Sequence, residues 1–134
     1  MYKEIYLVDD EELINTINAL QFRKLGLEDK IKSFTNPELA LDNLRFREDP
    51  SEKVIVFLDI NMPEMSGFEF LEFMSLEKLP SNIEVVIVTS SIAEEDQKMA
   101  KKFKKYVSSY VNKPLKTEDI QKFLLQPENR VVGF

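Results

Sequence analysis

The chain has 134 residues, a formal net charge of −6, a sequence pI of about 4.8, and neither cysteine nor histidine. Its length predicts one domain, and a hydrophobic content of 43% is enough for a core. The net negative charge argues against bulk nucleic-acid binding. The absence of cysteine excludes disulfides and thiol chemistry, and the absence of histidine excludes Ser-His triads and histidine metal sites.

The amino-terminal sequence Met-Tyr-Lys-Glu-Ile lacks the apolar stretch of a signal peptide. No run approaches the roughly 18 apolar residues that cross a membrane. We therefore expect a soluble, cytoplasmic protein that does not insert into a membrane.

The first predicted strand, Ile5 to Val8, is short and apolar, and it ends at the acids Asp9 and Asp10. A helical pattern follows and ends near Gly26. Its predicted apolar face comprises Leu13, Ile14, Ile17 and Leu20.

A second, weaker strand is predicted at residues 31–34. Asn36 and Pro37 then predict the start of a second helix, because asparagine caps helices and proline suits the first helical position. The apolar face of this helix comprises Ala40, Leu41 and Leu44. The polar segment 47–53 predicts a loop.

The central stretch, Val54 to Leu58, has five apolar residues in a row, which is typical of a strand buried on both faces. The run stops at Asp59, and an unpaired buried charge is costly, so we expect this carboxylate to face a site. Ser66 is expected to cap a third helix. Its expected core residues are Phe68, Phe70, Leu71, Phe73 and Met74.

The fourth predicted strand, Ile83 to Val88, ends at Thr89, and Ser91 with Glu94 fits a capping box for a lysine-rich fourth helix. The fifth strand, Val107 to Val111, leads to Lys113. Thr117 is expected to cap a short last helix. Its apolar residues are Ile120, Phe123 and Leu124.

Strands that alternate with helices predict a parallel sheet with helices on both faces, forming one domain over residues 1–125 with a tail at 126–134. Such sheets bind ligands at the carboxyl ends of their strands. Four strands deliver reactive side chains to that edge. These are Asp9, Asp10, Asp59, Thr89 and Lys113.

Three carboxylates at one edge would repel each other strongly unless a cation offsets their charge. An all-oxygen site suits Mg²⁺. A lysine and a hydroxyl beside the metal would complete a phosphoryl-transfer site, in which an aspartate can accept the phosphoryl group.

Four motifs in order make the chain, from about Lys3 to Leu125, resemble the receiver domain of two-component response regulators. They are Leu7-Val8-Asp9-Asp10, Leu58-Asp59-Ile60-Asn61-Met62-Pro63 with Gly67, Val88-Thr89-Ser90, and Tyr110-Val111-Asn112-Lys113-Pro114. The resemblance implies a doubly wound α/β fold of flavodoxin-like type, with a five-stranded parallel sheet in the order 2-1-3-4-5.

The resemblance also implies a role for each site residue. Asp59 would be the phosphoacceptor, Thr89 the switch hydroxyl and Lys113 the phosphate-pairing lysine, followed by a cis bond to Pro114. Tyr110 would be the aromatic residue whose rotamer follows phosphorylation. The implied Mg²⁺ ligands are Asp9, Asp10, Asp59 and the backbone carbonyl of Asn61.

The chain departs from the family pattern in places. Tyr106 stands where the family often has glycine, the loop at 47–53 is a few residues longer than usual, and the last helix is short. The lysine run from Lys98 to Lys105 is most simply interpreted as a solvated helix face, and the alternative is a docking site for an acidic partner.

The expected function is that of a stand-alone receiver. A histidine kinase or histidine phosphotransfer protein would phosphorylate Asp59 and change the face formed by the fourth helix, fifth strand and fifth helix. This change would alter binding of a downstream protein partner or allow phosphate relay. No turnover of external substrates and no nucleic-acid partner are expected.

Three alternatives remain at this point. A Mg²⁺-dependent phosphatase with an aspartate nucleophile would need a second aspartate where this chain has Asn61. A receiver fold used only as an unphosphorylated protein-binding module would not need its acids together. A flavin carrier would need a phosphate-binding loop after the first strand, where this chain has four acids in a row.

Overall fold

A computed structural model describes residues 1–90 and 93–125 of the chain. The strands are β1 (Glu4–Val8), β2 (Ile31–Phe34), β3 (Val54–Asp59), β4 (Ile83–Thr89) and β5 (Val107–Asn112). The helices are α1 (Glu12–Lys24), α2 (Pro37–Arg45), α3 (Gly67–Leu76), α4 (Glu94–Lys101) and α5 (Thr117–Ile120). A 3₁₀ turn at Glu28–Lys30 precedes β2, and a π-helical turn at Gln121–Leu125 extends α5.

The five strands form one parallel sheet in the order β2-β1-β3-β4-β5, which confirms the predicted fold. Residues on neighbouring strands pair near the carboxyl ends: Val8 lies opposite Leu58, Asp59 opposite Val88, and Thr89 opposite Asn112. This register places the ends of β1, β3, β4 and β5 at one edge.

Alternating side chains of the strands form two cores, one on each face of the sheet. Tyr6 and Val56 belong to the core that α2, α3 and α4 cover, whereas Leu7 and Phe57 belong to the core under α1 and α5. All six residues of β3 are buried, as the apolar run predicts for a central parallel strand.

The predicted inward face of α1 is wrong. Leu13, Ile17 and Leu20 are 68%, 37% and 47% exposed. The helix instead buries Asn15, Asn18 and Phe22. The ring of Phe22 packs edge-on against Phe57 at 5.4 Å, and the side chain of Asn15 binds backbone carbonyls, so these contacts rather than the leucine and isoleucine stripe orient the helix.

The start of α3 follows the prediction. The Ser66 hydroxyl accepts a hydrogen bond from the backbone N–H of Glu69, whose carboxylate accepts one from the N–H of Ser66. Phe70 is fully buried as expected, but Phe73 is 39% exposed, so its assignment to the core is wrong. Phe73 and Phe70 lie three residues apart on the helix, and the sheet covers only one of them.

Two further helix starts were predicted from capping residues. Thr117 is the first residue of α5 rather than its cap, because the cap position is Lys116, whose N–H donates to the carboxylate of Asp119. At α4 the cap position is Ala93, whose N–H donates to Asp96, and the predicted cap Ser91 lies outside the described residues. The predicted tail, 126–134, also lies outside them.

The lysines of the run from Lys98 to Lys105 are exposed, as expected for a solvated helix face, although α4 itself ends at Lys101. Tyr106, at the position where glycine is common in the family, is buried, and its hydroxyl hydrogen-bonds the carbonyls of Met74 and Leu79. This aromatic residue therefore ties the start of β5 to the end of α3. Across the described residues, no helix has the length and apolar character needed to cross a membrane.

Candidate functional site

Three carboxylates meet at the edge where β1 and β3 end. Asp9 and Asp10 follow β1 directly, and Asp59 is the last residue of β3. One carboxylate oxygen of each lies within 4.8 Å of the others. Asp9 and Asp59 are 4% and 3% exposed, whereas Asp10 is half-buried and accessible to solvent.

Backbone and side-chain hydrogen bonds orient these acids. The N–H of Glu11 donates to Asp9 Oδ1 at 2.9 Å, and the N–H of Asn61 donates to Asp59 Oδ1 at 3.2 Å. Asn15 Nδ2 donates to the carbonyl oxygens of Asp9 and Phe34, both at 3.0 Å. Sequence reasoning missed Asn15, although a polar residue five positions after Asp10 could have signalled a contact with the loop.

Lys113 joins the acids from the other side of the site. Its Nζ lies 2.8 Å from Asp9 Oδ2 and 3.5 Å from Asp59 Oδ1. The backbone N–H of Lys113 donates to the carbonyl of Thr89 at 2.7 Å, which fixes the lysine relative to the end of β4. The peptide bond between Lys113 and Pro114 is cis, as the resemblance implies.

The environment shifts the pKa of two of these groups. Burial raises the pKa of Asp59 above its usual value, and the nearby charge of Asp9 adds to this, while the N–H of Asn61 and the ammonium of Lys113 oppose it. Burial alone would lower the pKa of Lys113, but its bond to Asp9 and the negative charges of Asp59 and Asp9 raise it overall. A cation near Asp59 therefore stabilises its charged form.

The loop after Asp59 depends on Gly67. Its N–H donates to the carbonyl of Ile60 at 3.1 Å. A Cβ on Gly67 would lie 2.8 Å from both the carbonyl oxygen of Asp59 and the Cα of Ile60. Only glycine lets the start of α3 approach this backbone without moving it.

Thr89 and Tyr110 lie on the neighbouring strands. Thr89 is fully buried as the last residue of β4, beside the end of β3. Tyr110 is half-buried on β5 and packs against the core under α2, α3 and α4. The structure thus brings Asp9, Asp10, Asp59 and Lys113 into one cluster and places Thr89 at the same edge, with Tyr110 two residues before the end of β5.

The donor set fits a magnesium ion. Mg²⁺ prefers oxygen ligands and binds through a few carboxylates while keeping several waters. Asp9, Asp10 and Asp59 supply carboxylate oxygens, and the exposure of Asp10 leaves the site open to water.

Comparison with known proteins agrees with this geometry. The family model described as the response regulator receiver domain matches residues 5–125. A two-component response regulator from Cytophaga hutchinsonii superposes with a TM-score of 0.81 at 26% identity, covering 95% of this chain and 97% of that one.

Two curated relatives are similar over most of their own length. A probable methanogenesis regulatory protein, FilR2, from Methanothrix harundinacea is 30% identical over 88% of this chain and 76% of its own. A chemotaxis protein CheY homolog from Campylobacter jejuni is 28% identical over 83% of this chain and 81% of its own. Other curated relatives are longer, and the chain spans only 19% to 44% of their lengths.

Proposed function

Because the chain belongs to the response regulator receiver domain family of two-component signalling, we propose that it is a phosphorylation switch with Asp59 as the acceptor. A histidine kinase or histidine phosphotransfer protein would donate the phosphoryl group. The receiver would comprise residues 1–125, with 126–134 as a tail, and would act in the cytoplasm. Receiver domains are signalling proteins rather than enzymes that turn over external substrates.

One observation carries this proposal: the ammonium group of Lys113 contacts both Asp9 and Asp59 at a buried sheet edge. A site that only stabilised the fold would not need three converging carboxylates, because burying charges usually costs more than apolar packing. A site that receives a phosphoryl group needs both the acidic cluster and a movable cation.

The residues have separate tasks in the proposed transfer. A carboxylate oxygen of Asp59 attacks phosphorus, the P–N bond of phosphohistidine breaks, and the imidazole leaves with the bonding electrons. Lys113 would pair with an oxygen of the phosphoryl group on Asp59, because its Nζ already lies 3.5 Å from the Asp59 carboxylate. A bound Mg²⁺ would offset the charge of the transferring oxygens, held by Asp9, Asp10, Asp59 and the carbonyl of Asn61.

We assign the output to the neighbouring strands. The Thr89 hydroxyl would move toward the phosphoryl group, and Tyr110 on the adjacent strand β5 would change rotamer with it. This movement would shift the face formed by α4, β5 and α5 between two populations, one of which binds a downstream protein partner.

Labelling with acetyl phosphate tests the acceptor. Wild type, Asp59→Asn and the exposed control Asp29→Asn would each be incubated with Mg²⁺ and acetyl phosphate and measured by intact mass. We expect a labile phosphoryl adduct on wild type and Asp29→Asn and none on Asp59→Asn.

NMR with beryllofluoride, which mimics a phosphoryl group on aspartate, tests the switch in the same three proteins. Signals of Thr89 and Tyr110 should shift in wild type and Asp29→Asn. Absence of both the adduct and the shifts, with no response to Mg²⁺ alone, would replace this proposal with an unphosphorylated protein-binding module.

A further inference from the structure

Helix α1 presents a stripe of apolar side chains to solvent. Leu13, Ile17 and Leu20 are 68%, 37% and 47% exposed. With 3.6 residues per turn, the stripe lies on the side of the helix opposite to the buried Asn15 and Phe22. Single exposed apolar residues are ordinary. Spacings of four and then three residues instead form one continuous stripe, which is typical of a helix that packs along another helix.

An open hollow on the surface of α1 adjoins this stripe. It has a volume of about 520 Å³, and the described residues that line it all belong to α1: Ile17, Leu20, Gln21, Arg23 and Lys24. Positions 17, 20, 21 and 24 have the spacing of the four residues that form a hole for one side chain of a facing helix. Leu13, one turn before the hollow, is the most exposed residue of the stripe and is suited to enter such a hole.

The charges of α1 favour a second copy of the same helix that runs in the opposite direction. Glu12 lies in the first turn, and Arg23 and Lys24 lie in the last turn. An antiparallel pair places the acidic turn of each copy beside the basic turn of the other, whereas a parallel pair places like charges together. None of the ion pairs in the described part of the chain includes Glu12 or Lys24. Arg23 contacts Glu28 at 3.2 Å, but both side chains are largely exposed, so this pair contributes little stability.

We propose that the chain forms a weak homodimer in which two copies of α1 pack antiparallel about a two-fold axis near Ile17. Leu13 of each copy enters the hollow of the other, and Glu12 of each copy pairs with Lys24 of the other. Such a contact is self-complementary, because one stripe serves both copies.

The size and charge of this contact set its strength. It covers a helix of 13 residues, about 20 Å long, which is less than a standard interface provides. Two chains that each carry a net charge of −6 also repel each other. We expect half of the chains to be dimeric at roughly 0.1 mM. The contact does not include Asp59, so Asp59→Asn should dimerise like wild type.

Sedimentation equilibrium of the full chain, from about 10 µM to 1 mM, measures the dimer. Leu13→Ser should weaken it by about tenfold or more, because a two-fold contact loses the leucine twice. Leu76→Ser, at a residue of α3 that is 69% exposed, is the matched control and should leave the dimer unchanged. The NMR signals of wild type that shift with concentration should belong to α1.

A charge exchange tests the antiparallel direction. Glu12→Lys or Lys24→Glu alone should weaken the dimer by about fivefold, because each replaces two attractive contacts with repulsive ones. The double variant keeps the net charge of wild type and should regain its affinity to within about twofold. Thermal unfolding of each variant at low concentration establishes that it is folded.

Four results would overturn the proposal. A chain that stays monomeric up to about 1 mM would assign the stripe to a different protein. Equal affinities of Leu13→Ser and Leu76→Ser, or concentration-dependent shifts away from α1, would place the contact on another face. A double charge variant that dimerises no better than either single variant would exclude the antiparallel arrangement.

Discussion

Replacing Lys113 by methionine removes a cation that contacts two buried carboxylates. Its Nζ lies 2.8 Å from Asp9 and 3.5 Å from Asp59, and these two acids have side chains only 5% and 4% exposed. Breaking a buried pair by removing one partner costs about 3–5 kcal/mol. The Lys113 side chain is itself 19% exposed, so water screens part of the effect. We therefore expect Lys113→Met to lower the free energy of unfolding by about 2–3 kcal/mol at neutral pH without metal.

The pH dependence of this loss follows from Asp59. Its pKa is already raised in the folded protein, and removal of Lys113 raises it further. A carboxyl whose folded-state pKa lies above its unfolded value contributes stability below the unfolded pKa and loses it as pH rises through the folded pKa. The difference between wild type and Lys113→Met should therefore shrink as the pH falls toward about 4. Mg²⁺ at neutral pH should restore part of the stability, because it offsets the same carboxylates.

Urea unfolding in EDTA at neutral pH and near pH 4, and again with Mg²⁺, measures these differences. The exposed Lys104→Met serves as the matched control and should change the free energy of unfolding by less than about 0.5 kcal/mol. A loss for Lys113→Met no larger than that of the control, or a loss that grows as the pH falls, would refute the argument that Lys113 neutralises the buried acids.

Three further predictions concern other parts of the chain. Gly67→Ala should lower stability by about 1–3 kcal/mol and reduce acetyl phosphate labelling, because its Cβ would meet the Asp59 backbone at 2.8 Å. Gly26→Ala is the control, because it strains a backbone at φ +73° and should therefore also destabilise the fold. If Gly26→Ala lost as much acetyl phosphate labelling as Gly67→Ala, the prediction for Gly67 would be contradicted. Asp10→Asn should weaken Mg²⁺ binding by about tenfold in an NMR titration. It should not lower the free energy of unfolding in EDTA, because it removes one of three mutually repelling carboxylates. An unchanged Mg²⁺ affinity would exclude Asp10 as a ligand. Absorbance titration of wild type and Tyr6→Phe should show one additional phenol in wild type, ionising near pH 12. Because the folded-state pKa of Tyr6 lies above the usual value, wild type should lose stability relative to the variant between about pH 10 and 12. A titration midpoint near pH 10 would mean that the Tyr6 hydroxyl is solvated.

Much of the fold follows directly from the sequence. The apolar run before Asp59 has no alternating polar residues, so it predicts a central parallel strand rather than a strand with one solvent-exposed face. In the structure, all of β3 is buried. Once the strands are parallel, their carboxyl ends must share an edge. For this reason the convergence of Asp9, Asp10, Asp59 and Lys113 could be predicted without any knowledge of side-chain positions.

The prediction failed where an element offers two surfaces that are similarly able to pack. In α1, the apolar stripe of Leu13 and Ile17 favours one face, but the helix turns Asn15 and Phe22 inward. Asn15 satisfies two backbone carbonyls at the ends of β1 and β2, and this bond exists only once the strands are adjacent. Local periodicity reports which residues share a face, whereas the neighbouring elements decide which face is buried.

Two features were decided only by the tertiary structure. One is the contact of the Lys113 ammonium with both Asp9 and Asp59, which depends on the distances between the ends of β1, β3 and β5. The other is the burial of the Tyr6 hydroxyl and the Arg47 Nε, which lie far apart in the sequence and have no hydrogen-bond partner among the described residues. Sequence determines which residue types reach an edge because chain direction and side-chain alternation are local properties. Contact distances, charge pairing and unsatisfied donors arise only when distant segments pack together, so the three-dimensional structure is needed to reveal them.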